Sequence, residues 1–259
     1  MMSNCYKNFP VIVNYSNGGS DTIYSNSASI NENLNIERAK SLGAKGSNAV
    51  FTKTLVQGEL SVESYLLVGL SVFGQMKGAN DQNISLQFGP YSCPAPCVLN
   101  SVSVNITIGE PITVSRTFSY FGGVSTVSAP APTVPEIKPI TPENITLEGF
   151  GQLGGVTNIQ SISWTFSQNY EQHYLLGENI PKMVFNDGQI QMDVNGEGLA
   201  NSLTVGNCAV SPKQYSINVT DCDGDDLGAL SINGYAQSRS SSVSADNDEQ
   251  NSISIIQYL

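Results

Sequence analysis

Period-two alternation of apolar and polar residues restricts this chain more than any other feature. It recurs from end to end, in Val11–Tyr15, Glu59–Tyr65, Ser101–Ile108, Ser161–Phe166, Gln189–Val194, Tyr215–Thr220 and Ser252–Ile255. Successive side chains of a strand point to opposite faces, so each segment offers one apolar face and one wet face. A half-buried antiparallel sheet requires that pattern. Turn chemistry separates the runs at Asn17-Gly18-Gly19, Asn186-Asp187-Gly188, Asp223-Gly224 and Asn233-Gly234. Helix signals are scarce. The best stretch is Ile36–Leu42, capped by Asn35 and stopped by Gly43. The expected class is all-β: two tandem antiparallel β-sandwich or barrel domains with at most one or two short helices.

The middle of the chain changes character. Prolines at 130, 132, 135, 139 and 142 crowd one stretch, and each removes a backbone donor. That stretch cannot be a central strand and reads as a semi-rigid, polyproline-like connector. It divides the 259 residues into a first β domain over 1–125, a linker over 126–144 and a second β domain over 145–259.

The halves resemble each other. Asn35, Glu37, Leu42, Gly43 and Val50-Phe51 match Asn169, Glu171, Leu176, Gly177 and Val184-Phe185 at one offset, 171 − 37 = 134. Ser27 and Ser29 match Ser161 and Ser163 at the same offset. Gly58–Glu63 resembles Gly188–Asp193 with a shift of four, as a shortened hairpin would give. Phe88-Gly89…Cys93 resembles Val205-Gly206-Asn207-Cys208, and Asn100–Val104 resembles Tyr215–Val219. An ordered series of this kind points to an internally duplicated β domain.

Charge narrows the partners. Asp and Glu number 22 against 11 Lys and Arg, a net charge of -11. So few cations cannot release counterions from nucleic-acid phosphates or anchor the chain to an anionic membrane. Charged residues are only 13% of the chain, so its surface is largely Ser, Asn, Gln and Gly or is buried against other copies. No run reaches the ~18 apolar residues of a membrane-spanning helix, and the start lacks the pattern of a secretory leader. The expectation is a soluble product made in a cytoplasm.

The candidate chemistry is thin. Five cysteines (5, 93, 97, 208 and 222) cannot all pair within one chain. Free or partly buried thiols are expected, with a local Cys93–Cys97 disulfide as the other reading; a second ligand pair at zinc spacing is missing. Gly149-Phe150-Gly151-Gln152-Leu153-Gly154 fits a dinucleotide fingerprint as a string. A strand-like segment follows it where the pyrophosphate-binding helix should stand, so it reads as a turn. Asp221, Asp223 and Asp225 have the first three spacings of a calcium loop. Its glycine falls at the fourth position instead of the sixth, and Ile232 takes the place of the bidentate Glu, leaving a weak metal candidate. His173 is the only histidine, and no nucleophile motif accompanies it. Trp164, the only tryptophan, lies on an alternating strand and is expected in the core. Catalysis and cofactors are not expected.

The segment Ser29–Leu67 and its echo Ser163–Ala200 resemble phage tail-tube proteins. A strand leads into an Asn/Glu stretch, a Leu-Gly turn and a hydrophobic hairpin, here Asn35/Glu37/Leu42-Gly43/Val50-Phe51 and Asn169/Glu171/Leu176-Gly177/Val184-Phe185. The resemblance covers about a third of the chain. It implies a virion structural protein without catalysis, in which β domains form stacked rings around a channel for DNA passage. Family tubes mostly carry one such domain per subunit in six-fold rings. A duplicated subunit would instead build a trimer with pseudo-six-fold symmetry, and a hexamer is the other arrangement. The implied partners are further copies of the chain and tail proteins such as sheath or terminator, in the tail of the virion. Two alternatives remain: another virion component (head decoration, tail completion or baseplate), and a glycan- or receptor-binding β-sandwich with calcium at Asp221–Asp226.

Overall fold

The computed structural model describes residues 10–34, 36–39, 49–52, 56–66, 78–127, 140–153, 158–176, 178, 180–197, 211–220, 224, 226–244 and 247–259. The strands, in chain order, are β1 (Val11–Asn14), β2 (Ser20–Ile23), β3 (Ser25–Asn33), β4 (Ile36–Ala39), β5 (Ala49–Thr52), β6 (Gln57–Tyr65), β7 (Ile84–Phe88) and β8 (Tyr91–Thr107). They continue as β9 (Thr113–Phe121), β10 (Ser125–Thr126), β11 (Ile145–Glu148), β12 (Asn158–His173), β13 (Lys182–Glu197), β14 (Lys213–Thr220), β15 (Asp226–Ser244) and β16 (Asn247–Tyr258). Every pairing is antiparallel. Among the described residues the only helical turns are 3-10 turns at Pro142–Asn144 and Phe150–Leu153. The chain is all-β and antiparallel.

The helix expected over Ile36–Leu42 is not present in its described part. Ile36–Ala39 is strand β4, paired with β5 as Ile36↔Thr52 through Ala39↔Ala49. A cap and a stop set only a local preference, and a hydrogen-bonded ladder overrides it. Asn35 and residues 40–48 lie outside the described residues.

Fourteen strands share one sheet, and its two halves run in the same order. The first half runs β3-β6-β9-β8-β7-β1; the second runs β12-β13-β16-β15-β14-β11. In each half these six strands also follow the chain in the same sequence. The longest strand of each half, β8 or β15, carries an extra residue against its neighbour. Asn100 is skipped between the pairs Leu99↔Phe118 and Ser101↔Thr117. Gln237 is skipped between Ala236↔Ile255 and Ser238↔Ser254. Both are β-bulges.

Laying one bulge on the other sets Phe118 on Ile255. The next pairings set Leu60 on Met192 and then Ile30 on Trp164. That last correspondence is the offset of 134 found in the sequence (164 − 30). Two sequence matches are corrected by the same steps. Leu60 falls on Met192, not Ile190, so the hairpin is shorter by two residues and not four. Asn100–Val104 lies on β8, whereas Tyr215–Val219 lies on β14, which takes the place of β7. The match involving Val205–Cys208 lies outside the described residues.

The halves join edge to edge. Residues 101–107 of β8 pair with 161–167 of β12, from Ser101↔Ser167 to Thr107↔Ser161. Val102, Val104 and Ile106 meet Phe166, Trp164 and Ile162 there, all of them buried. One cluster of buried residues runs from Val11 to Ile255 and takes members from both halves. A smaller cluster of Val98, Phe121 and Met183, with Tyr170 and Phe185 against it, seats the far end of the β12–β13 hairpin on the first half. Phe121 and Phe185 each meet Tyr170 edge-on, with centroids 6.4 Å apart. Most of the proline-rich connector, 128–139, lies outside the described residues. Its exit is stitched to the first half: the Ile140 N–H donates to the Leu66 carbonyl at 2.9 Å, and the Ile140 carbonyl accepts from Ile112 at 2.9 Å.

Candidate functional site

Among the described residues, the polar groups singled out for chemistry are dispersed. Asp221, Asp223 and Asp225 lie outside the described residues. Beside them, Gly224 has φ +87, and the Gly228 N–H donates to Asp226 Oδ1 at 2.8 Å, an Asx-type turn entering β15. Among the described residues no group of three or more His, Cys, Asp or Glu is placed to hold a metal ion. His173 ends β12 opposite Lys182, exposed, with Nε2 3.5 Å from Glu171 Oε2. Gly149 has φ +84 and opens the 3-10 turn at Phe150–Leu153, with strand β12 beyond it, so the described part of this glycine string, 149–153, is a turn. Trp164 is buried, and its indole N–H donates to the Ser231 carbonyl at 3.4 Å.

Cys93 and Cys97 are both free and buried. The Cys97 thiol donates to the Cys93 and Pro94 carbonyls, at 3.6 and 3.4 Å. Burial, helped by the Glu32 charge, pushes the Cys93 thiol up to about 11. Burial followed by Cys93 itself pushes Cys97 up as well. Both are protonated at neutral pH, the opposite of an activated nucleophile. Inside the first half the Tyr15 hydroxyl donates to Asp21 Oδ2 at 2.9 Å, and Arg116 Nη1 donates to Ser64 Oγ at 3.3 Å. Burial pulls Arg116 down to about 10, while Tyr15 and Asp21 oppose the fall. This network satisfies a polar patch inside the core.

The feature with the most functional content is a pair of strand edges, on β3 and β15, that no further strand among the described residues occupies. Cys97 pairs with both Ile84 of β7 and Tyr120 of β9, so those strands occupy opposite edges of β8. Ser101–Asn105 pair with both β9 and β12, so β12 continues the edge that β7 begins. β15 is built the same way. β14 pairs with 226–234, β16 pairs with 235–244, and β15 lies between them. Beyond β14, no strand among the described residues occupies the place on β15 that β12 takes on β8. At the opposite end of the sheet β3 pairs only with β6. Ala28 and Ile30 of β3, and Ala236 of β15, are partly buried apolar residues packed against the core at these two edges. The matching positions at the internal junction, Ile162, Trp164 and Leu99, are fully covered. An open strand is a template for another strand. Sequence reasoning did not single out either edge, because an edge is defined by which strands pair and not by composition.

Compared with known proteins, the chain matches no protein-family model and no curated protein.

Proposed function

We propose that the chain is a structural subunit of a phage tail tube, assembling into stacked rings around a channel through which DNA passes. One observation carries this reading: two halves of identical strand order are joined edge to edge, and among the described residues the composite leaves one β3-type and one β15-type edge that no further strand occupies. A unit that already joins its own halves head to tail can join the next copy by the same operation, and heterologous contacts of that type form rings when the rotation between copies closes. In this reading the two halves are a duplication, and three chains supply six sheet units. The β12–β13 hairpin tip, with Tyr174, Leu175, Leu176 and Ile180 exposed, gives apolar surface that a stacked ring would cover. The net charge of -11 lets DNA pass without adhering.

Electron microscopy of the purified protein over a concentration series tests the proposal. Hollow rings or tubes with three-fold symmetry are expected. Six copies per ring would contradict the duplicated-subunit arrangement. A monomer at every concentration would overturn the tube reading, and in that case calcium-dependent thermal stabilisation would favour the binding-module alternative.

A further inference from the structure

The internal junction specifies the register of the external one. On the bulge correspondence, β12 takes the place of β3 with Ser161 on Ser27 and Ser167 on Asn33. β8 takes the place of β15 with Ser101 on Ser238 and Asn105 on Ser242. Applying the β8–β12 register to these positions sets a second chain's Ser29 opposite Ser242, Ile30 opposite Ser241, Asn31 opposite Ser240 and Glu32 opposite Arg239. Where the internal junction puts Phe166 against Val102, the external one puts an acid against a base.

We propose that a second copy of this chain docks its β3, antiparallel, along residues 238–242 of β15, with Glu32 of one copy facing Arg239 of the other. The proposal rests on the ring-forming reading and deepens it to a partner and a register. Three observations support it. The internal junction is a built example of the same contact between corresponding strands. Opposed residues of an antiparallel pair share a face, and both charges fall on the core side: Glu32 pairs with Gly58 in line with Ile30↔Leu60, and Arg239 pairs with the buried Ile253. Finally, the register brings opposite charges together in a chain where only 13% of residues are charged. Within the single chain Glu32 Oε1 already accepts from the Val124 N–H at 3.1 Å, and Arg239 and Ser241 make interactions of their own. The second copy shares or displaces these.

Apart from Ile30, the remaining contacts across this edge are serine and asparagine, against six buried apolar side chains inside. The external junction is therefore the weaker one and the more sensitive to its single charge pair.

The test uses the full chain in two arms. In the first, Glu32→Arg and Arg239→Glu are made singly and together, and assembly is followed by sedimentation and electron microscopy. Each single reversal is expected to raise the concentration needed for assembly about tenfold at low salt, and the double reversal to return it to near the starting value. In the second arm, Ser29→Cys with Ser242→Cys is oxidised and compared with Ser29→Cys with Ser238→Cys, which lies four residues out of register. Only the first pair should join chains covalently, and reduction should separate them. This arm does not depend on the folding of the charge variants. Rings that form without cross-linking at 29–242 and without rescue by the double reversal would overturn the register while leaving the tube reading intact. Cross-linking at 29–242 into open chains that never close would support the register and overturn the ring. Monomers in both arms would overturn both.

Discussion

Replacing Trp164 with alanine tests whether the two halves share a core. The indole is 1% exposed and stands at the junction, with Val104 of β8 on one side and Met192 of β13 on the other. An indole of this kind buries about 200 Å². At about 25 cal/mol per Å² its removal from the core forfeits roughly 5 kcal/mol, an upper bound because the denatured chain already covers part of that surface. The hydrogen bond to Ser231 is lost as well. Tryptophan-to-alanine changes in packed cores cost about 3–5 kcal/mol, which is the expected loss. Because the variant lacks the only tryptophan, urea unfolding should be followed by far-ultraviolet circular dichroism. The slope of free energy against urea should stay at the wild-type value, since a shared core unfolds as one unit. Ile108→Ala, at a side chain 66% exposed, is the control and should fall within about 0.5 kcal/mol of wild type. A loss below about 1 kcal/mol for Trp164→Ala would refute the packed junction. A normal loss with a much reduced slope would refute the shared core.

Alkali should destabilise the chain in a defined window. Cys93 is raised from 9.0 to about 11, so the stability it contributes is complete below pH 9 and is lost as pH rises through 11. Cys97, Tyr15 and Tyr120 are raised by burial too and extend the loss to higher pH. The midpoint of thermal unfolding should fall from pH 9 upward, and Cys93→Ala with Cys97→Ala should remove the early part of that slope. With Cys5, Cys208 and Cys222 changed to serine, the two remaining thiols should resist a disulfide reagent at pH 8 and react rapidly once urea unfolds the chain. Gly58→Ala should cost about 1–3 kcal/mol in urea unfolding. Its new Cβ would run into the Tyr120 ring and lie 2.6 Å from the Asn31 carbonyl, whereas nothing lies within 4 Å of a Cβ at Gly151, where the same change should cost little.

Much of the sheet is legible in the alternation, and the errors have a common origin. A pattern of period two is unchanged by a slip of two residues, so Leu60 aligns with Ile190 in the sequence as well as with Met192, and only the bulge decides. The same degeneracy matched Asn100–Val104 to Tyr215–Val219, strands with different places in the sheet. The helix assigned to Ile36–Leu42 came from a cap and a stop, which say nothing about the ladder β4 forms with β5. Trp164 in the core and the turn at Gly149 were legible because burial and turn chemistry are local. The edges at β3 and β15 were not: Glu32 and Arg239 are 207 residues apart (239 − 32), and which strands present an edge among the described residues is decided only by the pairing topology.

The bulge at Asn100 also governs how the gene can tolerate length changes. A strand read in twos behaves like a reading frame: losing one residue turns every side chain on one side of the loss inside out. In β8 such a loss would expose either Val102, Val104 and Ile106 or Cys97 and Leu99, all buried. Position 100 is the exception, because Leu99 and Ser101 already pair with the adjacent residues Phe118 and Thr117. Deleting Asn100 closes the ladder without moving any other residue to the wrong face, at the loss of its 2.7 Å bond to Ser119. Single-codon deletions scanned over residues 98–106 of β8 should therefore disrupt folding everywhere except there.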